Sequence, residues 1–332
     1  MPAPADVETG PGGAPSVAEP ASADGEPDRK SPPKSNRANR VTSQRAKQYS
    51  QREEGHEAVS VCASPPKSNE ISRMMVMTAV RTLNEFERDV DTVEEVCNRV
   101  LKAGSGSAES RQEATESGAI QSIIHAMNIH PDQAVVHSKG TMVIHLLCRG
   151  TEDGALALKQ DATFERGAIY TIVAGMKAHE DVAAIQERGA ATIGNLVTST
   201  DDNAVARKHL AAKAGAFDAI AKGMAAHAEA GAVAAAGCFA IGNLCRASDE
   251  RPKDPKVFES KELALEQGAV DAVIAAIRQH PDNELVLKQG ARAVANVAYK
   301  NAVFKEKVLQ KGALAEWLDE VSSPLEELLI EP

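Results

Sequence analysis

Asn195, Asn243 and Asn296 recur at one position of a repeated frame, each six residues after a glycine (Gly189, Gly237, Gly290). A carboxamide both donates and accepts, so a row of them can bond the backbone of an extended chain. It can equally bond a neighbouring loop and hold repeated units in register. Thr192, Phe239, Arg246, Arg292 and Tyr299 stand close by in the same segments, a mixture suited to contact rather than to bond-making. Four histidines, His130, His179, His227 and His280, also recur once per unit and invite a metal hypothesis. Equivalent positions in stacked helices lie about 8–10 Å or more apart, whereas zinc ligands sit about 2.0–2.2 Å from one ion. No metal is expected. Each histidine reads instead as the last residue of a helix, meeting carbonyls and the negative end of the dipole.

Patterns for catalysis are missing. The chain has no Gly-x-x-x-x-Gly-Lys, no His-Glu-x-x-His and no Gly-x-Ser-x-Gly, and Gly104 and Gly106 are followed by Glu109 where a third glycine would complete a dinucleotide loop. Neither a catalytic residue nor a cofactor is expected. One modification is legible: Ser31-Pro-Pro-Lys-Ser-Asn36 recurs as Ser64-Pro-Pro-Lys-Ser-Asn69. Both read Ser-Pro-x-Lys, which resembles the site preferred by proline-directed cell-cycle kinases; Pro-rich low complexity is the competing reading. A phosphate on Ser31 or Ser64 would add about −1.5 to −2 charges.

The asparagines and histidines need elements to hold them, and the repeat supplies these. Gly237-Cys-Phe-Ala-Ile-Gly-Asn-Leu244 returns as Gly189-Ala-Ala-Thr-Ile-Gly-Asn-Leu196, as Gly290-Ala-Arg-Ala-Val-Ala-Asn-Val297 and, more weakly, as Gly140-Thr-Met-Val-Ile-His-Leu-Leu147. Counting from the glycine of each Gly-Ala pair (Gly118, Gly167, Gly215, Gly268), the histidine follows at 12, an acid at 14 and the frame glycine at 22. Apolar residues at 2, 5, 6 and 9 make one helical face, such as Ile120, Ile123, Ile124 and Met127. A second face runs through 18, 22, 25, 26 and 29. The asparagine, at 28, lies about 105° from the centre of that stripe, which predicts a side chain flanking the core rather than inside it. The acid is placed to cap or favour the next helix, worth ~1 kcal/mol as a true cap. The glycine inside the helix costs about 1 kcal/mol against alanine, so it predicts close approach of another helix. With helical segments at 203–214 and 258–267, each unit comprises about three helices.

Four such repeats cover about 112–311. Upstream, residues 71–102 read as a degenerate first repeat, with Met74, Met75, Met77, Val80, Leu83 and Phe86 as one apolar run and Val90 to Leu101 as a second. Residues 312–330 read as a C-terminal cap, with a last helix at 313–321 whose Trp317 seals the final unit. Residues 1–70 are expected to be disordered, for want of apolar surface to offset the entropy of ordering. The net charge of −10 hides a polarity: 1–28 carry six acids and no base, 29–52 eight bases and no acid, and 70–332 the whole −10. Five cysteines without a Cys-x-x-Cys pair read as core thiols in a reducing compartment. No apolar signal stretch opens the sequence and no membrane span is expected, so the chain is placed in the cytoplasm, with the nucleus open to it through the basic run.

Three helices per unit, Gly-Ala opening the second and Gly-x-x-Ala-Ile-Gly-Asn-Leu in the third resemble armadillo repeats over roughly residues 71–320. The units with His-Pro-Asp and Asn-Leu are most similar to the armadillo region of leucine-rich-repeat kinases and related scaffolds, without a kinase, GTPase or leucine-rich segment. The resemblance implies an all-α, right-handed superhelical solenoid whose third helices line a concave groove for an extended peptide. It also implies that Asn195, Asn243 and Asn296 bond that peptide's backbone; the first unit departs, with Leu146. The family's aromatic partner four residues earlier survives only as Phe239, with Met142, Ala191 and Arg292 in the other places. A groove of mixed character follows, in which Thr192, Arg246, Arg292 and Tyr299 are joined by His145 and Arg149. The expected function is that of a monomeric, non-enzymatic scaffold or adaptor for a protein or peptide. Two alternatives stand beside it: a transport receptor autoinhibited by its 29–52 arm, and a nuclear regulator whose arm touches nucleic acid.

Overall fold

The computed structural model describes residues 68–150, 153–198, 201, 203–247 and 254–319. The acidic 1–28 and basic 29–52 segments, Ser31, Ser64 and the end of the C-terminal cap at 320–330 lie outside the described residues. Helices α1 (Ser68–Glu85) and α2 (Val90–Gly104) form the degenerate unit. The first full unit is α3 (Ala108–Glu116), α4 (Ala119–Ile129) and α5 (Ala134–Leu147). The second is α6 (Asp153–Gln160), which runs on into a π-turn at Asp161–Glu165, then α7 (Ala168–Ala178) and α8 (Ala183–Val197). The third is α9 (Ala204–Lys213), α10 (Ala216–Ala226) and α11 (Gly231–Cys245). The fourth is α12 (Pro255–Glu266), α13 (Ala269–Gln279) and α14 (Glu284–Ala298), followed by α15 (Ala302–Gln310) and a 3-10 turn at Ala315–Asp319. The described residues hold no strand, and none of their helices is long and apolar enough to cross a membrane.

The joints explain the spacing. Gly118, Gly167, Gly215 and Gly268 have φ of 85°, 71°, 85° and 76°, the left-handed region that side chains avoid. One residue there ends the first helix and opens the second. The second helix stops at the histidine, and the third opens after a single extended residue, Gln133, Val182, Ala230 or Asn283. This corrects the assignment of the acid as the cap. Asp132, Asp181, Glu229 and Asp282 stand one position too early and are exposed, Glu229 accepting from Gln279 Nε2 at 2.8 Å. Of the four true N-cap residues only Asn283 caps with its side chain, accepting from the Val286 N–H at 3.2 Å.

Two expectations at the ends change. Val76, Ala79, Val80 and Leu83 form the buried face of α1, whereas Met74 and Phe86 are 63% and 51% exposed. The inward face follows the i, i+3, i+4, i+7 rule through the smaller residues, and the methionines share the opposite side. At the other end, the helix expected at 313–321 is a 3-10 turn at Ala315–Asp319 in its described part, with Trp317 partly buried against the core.

Like helices stack on like. The third helices α2, α5, α8, α11 and α14 pack in sequence, as do the second helices α1, α4, α7, α10 and α13, around one continuous hydrophobic core from Val76 to Ala313. The frame glycine gains the approach that its helix-breaking cost demands: a Cβ on Gly237 would stand 2.3 Å from Met224 Sδ of its own second helix. A second glycine governs packing between units. A Cβ on Gly194 would lie 2.5 Å from Phe239 Cε1 and 3.1 Å from the Ala240 backbone of the next third helix. Gly194→Ala should therefore lower stability by about 1–3 kcal/mol through overpacking, despite alanine's better helix propensity. Gly154→Ala, on an exposed stretch of α6 with its nearest neighbour 3.7 Å away, should instead be neutral or stabilising by up to about 1 kcal/mol. Urea unfolding of the two variants checks both signs.

Candidate functional site

The row of asparagines lies inside the solenoid, where each amide joins one third helix to the preceding one. Asn195 Nδ2 donates to the carbonyls of His145 (3.3 Å) and Cys148 (3.4 Å). Asn243 Nδ2 donates to Gly194 O (3.3 Å) and Thr198 Oγ1 (2.6 Å), and Asn296 Nδ2 to Gly242 O (2.9 Å). Their exposures are 2%, 1% and 5%. The expected position beside the core is thus corrected. The angle was reckoned from one unit's own stripe, whereas the glycines let the next third helix close over the asparagine side as well.

The companions divide in the same way. Thr192 is buried and donates to the Arg188 carbonyl at 2.6 Å, with His145 Nδ1 at 3.4 Å. Phe239 is buried against Gly194, and the Arg292 guanidinium lies 5.8 Å above its ring centroid, within cation–π range. Arg292 also donates to Asn243 Oδ1 at 3.0 Å; burial, then the nearby Arg246, lowers its pKa to about 10, so it stays charged at neutral pH. Arg246 and Tyr299 are half-buried and retain solvent contact, as do His145 and Arg149 of the first full unit. Lys139 and Arg188 are also half-buried, and Glu187, Lys288 and Lys300 are exposed.

The histidines form a second ladder, bonding between units. His130 Nε2 pairs with Glu87 O (2.6 Å), His179 with Pro131 O (2.9 Å), His227 with Glu180 O (2.9 Å) and His280 with Ala228 O (2.8 Å). Each reaches the carbonyl just past the equivalent position of the preceding unit, rather than the end of its own helix. Each is engaged singly. Cys97, Cys148, Cys238 and Cys245 are buried, and burial pushes each thiol up to about 12, so they are inert at neutral pH.

A third ladder escaped the sequence reading. Lys159 Nζ donates to Thr198 O (3.0 Å), Lys208 to Arg246 O (2.9 Å) and Lys261 to Tyr299 O (3.3 Å). Each ammonium runs from a first helix to the residue ending the third helix of the same unit, where unpaired carbonyls carry the dipole's negative end. A base stands seven residues before the Gly-Ala glycine at Arg111, Lys208 and Lys261, and eight before it at Lys159. The π-turn of α6 absorbs that extra residue, an offset that hides the signal.

His137 departs from its ladder neighbours. It is buried against Gly175 and the His179 ring (centroids 5.2 Å apart), and neither ring nitrogen has a hydrogen-bond partner. Burial, then His179, lowers its pKa from 6.5 to about 4. The unfolded chain therefore binds a proton below pH 6.5 that the folded chain refuses. The stability is complete above pH 6.5 and is lost as pH falls toward 4, by about 3 kcal/mol at ~1.4 kcal/mol per pH unit. Gln186 occupies the equivalent place one unit on and donates to Met176 O (2.9 Å) and His179 O (2.8 Å). His137→Gln should keep most of that stability at pH 4.5, measured by urea unfolding against the wild type at pH 7.5 and 4.5. For the amides, Asn243→Ala should cost about 1–3 kcal/mol, since it strips Arg292 and the Gly194 carbonyl of buried partners; a variant as stable as wild type would place Asn243 outside the clasp.

No protein-family model matches the chain, and no curated protein matches it. Among solved structures, the described fold is similar to a designed armadillo repeat protein in complex with the peptide (KR)4, at TM-score 0.58 and 19% identity over 76% of this chain and 96% of that one. It is also similar to another designed armadillo repeat protein (TM-score 0.57, 19% identity, 76% and 98% covered) and to an engineered protein (0.58, 17%, 76% and 93%). Three-helix units, each with a left-handed glycine between its first and second helices, stacked helix on like helix and matching these solenoids along nearly their whole length, make this the armadillo-repeat fold.

Proposed function

We propose that the chain is a non-enzymatic scaffold or adaptor that binds a protein or extended peptide along the row of third helices. The observation that carries this reading is the likeness to a designed solenoid of the same fold in complex with a peptide. The asparagines contribute by fixing the spacing of the third helices. Contact with the ligand falls to the side chains that keep solvent access along that row, among them His145, Arg149, Arg246 and Tyr299. Solenoids suit this task because each unit adds a similar stretch of surface, so a long, low-profile ligand can be held by many modest contacts.

Site-specific photocrosslinking tests the location. A photoreactive amino acid is placed in the full chain at Glu187 or Lys288, exposed on third helices, and in a parallel protein at Tyr170, exposed on the second helix α7. Partners that crosslink in cell extract from 187 and 288 but not from 170 are the expected result. Crosslinks confined to 170 would move recognition to the opposite side.

A further inference from the structure

We propose that the third-helix face, taken as the binding face proposed above, selects a partner protein's acidic segment and rejects a basic one. In the four full units the third helices, taken through the residue three past the asparagine position, 134–149, 183–198, 231–246 and 284–299, hold six bases and two acids, Glu187 and Glu284, with Lys300 directly beyond; α2 holds two bases and three acids. Residues 70–332 as a whole carry −10, so the positive charge is concentrated on this element against the trend of the molecule. Arg149, Arg188, Arg246, Lys288 and Lys300 all keep at least part of their surface in water, as does Lys139, which lies 3.8 Å from Glu94 of α2.

The neighbouring titrations report the same field from inside. Among their causes, the lowering of Lys208 to about 7 includes Arg246 and Arg207, that of Arg292 includes Arg246, and that of His145 to about 4 includes Arg149 and Lys159, in each case behind burial. Lysines at the third-helix ends deepen the effect. Lys159, Lys208 and Lys261 are buried, so what charge they carry is poorly screened by water and adds to the potential at the surface above, Lys208 only in part at neutral pH because burial lowers it to about 7. An extended ligand rich in Asp and Glu gains from every unit of such a row, whereas a ligand rich in Lys and Arg is repelled by it. On this basis the fold shared with a (KR)4 binder carries the opposite preference.

The test uses the full chain and three fluorescent octapeptides: (DE)4, (KR)4 and the uncharged (SG)4. Anisotropy at low salt should show (DE)4 bound, (KR)4 and (SG)4 not, and the (DE)4 signal lost on raising the salt. Lys288→Glu with Lys300→Glu should weaken (DE)4 by about tenfold. A control with the same charge change off the row, Lys256→Glu with Lys305→Glu, should alter it by less than about twofold. Unchanged melting temperatures in both doubles establish that they fold. Binding of (KR)4 in preference to (DE)4 would overturn the acidic selection and leave a peptide-binding face standing. No binding of any of the three would overturn both. Equal losses in the two doubles would reduce the effect to bulk charge and overturn the assignment to this face.

Discussion

The closeness of one third helix to the next governs everything else in this solenoid. Gly194 faces Phe239 and Ala240, and a Cβ on Gly242 would stand 3.4 Å from the Ala293 backbone. At that separation a carboxamide on one helix reaches a main-chain carbonyl on its neighbour, which is how Asn243 meets Gly194 and Asn296 meets Gly242. Glycine in a helix is otherwise a loss of about 1 kcal/mol. Here the loss is offset by dispersion contacts along the interface and by buried hydrogen bonds that a wider spacing would leave unmade. The histidine ladder does the same at the far edge, joining the end of each second helix to a carbonyl one unit back.

Burying helix ends creates a debt in unpaired carbonyls, and the lysine ladder settles it. Thr198, Arg246 and Tyr299 end their third helices, and each accepts from a first-helix ammonium. A neutral donor would also satisfy the carbonyl. An ammonium satisfies the dipole too, and the second, third and fourth units each place a lysine there. The stabilising device and the surface potential therefore have one origin, and local charge on the third helices departs from the acidity of the whole chain.

Much of this was legible in the sequence. The Gly-Ala joint and the in-helix glycine follow from spacing alone, because each has a backbone requirement that few residues meet. The helix order was readable for the same reason. What spacing could not yield was the relation between units. The asparagine angle is correct for an isolated helix and wrong for the stack, because burial there depends on a neighbour about fifty residues away along the chain. The acid at 14 misled by one residue, since the extended residue that opens the helix carries no consistent cap side chain. The methionines of α1 misled by bulk: Val76 and Ala79 fill the core, and the larger apolar residues face outward.

The consequence for recognition is a division between residues that recur and residues that do not. Asparagine, histidine and lysine recur at fixed places because each repeats one architectural bond. A residue bound to that duty is poorly free to vary with a ligand. The position four before the asparagine does vary, through Met142, Ala191, Phe239 and Arg292, as does the position three after it, through Arg149, Thr198, Arg246 and Tyr299. Phe239 and Arg292 have been drawn inward, one against the other. Arg149, Arg246 and Tyr299 remain at the surface, beside helix ends already made cationic by the lysines beneath. In a solenoid built this way, the third-helix ends are the positions left free to vary, and the ladder that looks most like a binding motif sets the distance between them.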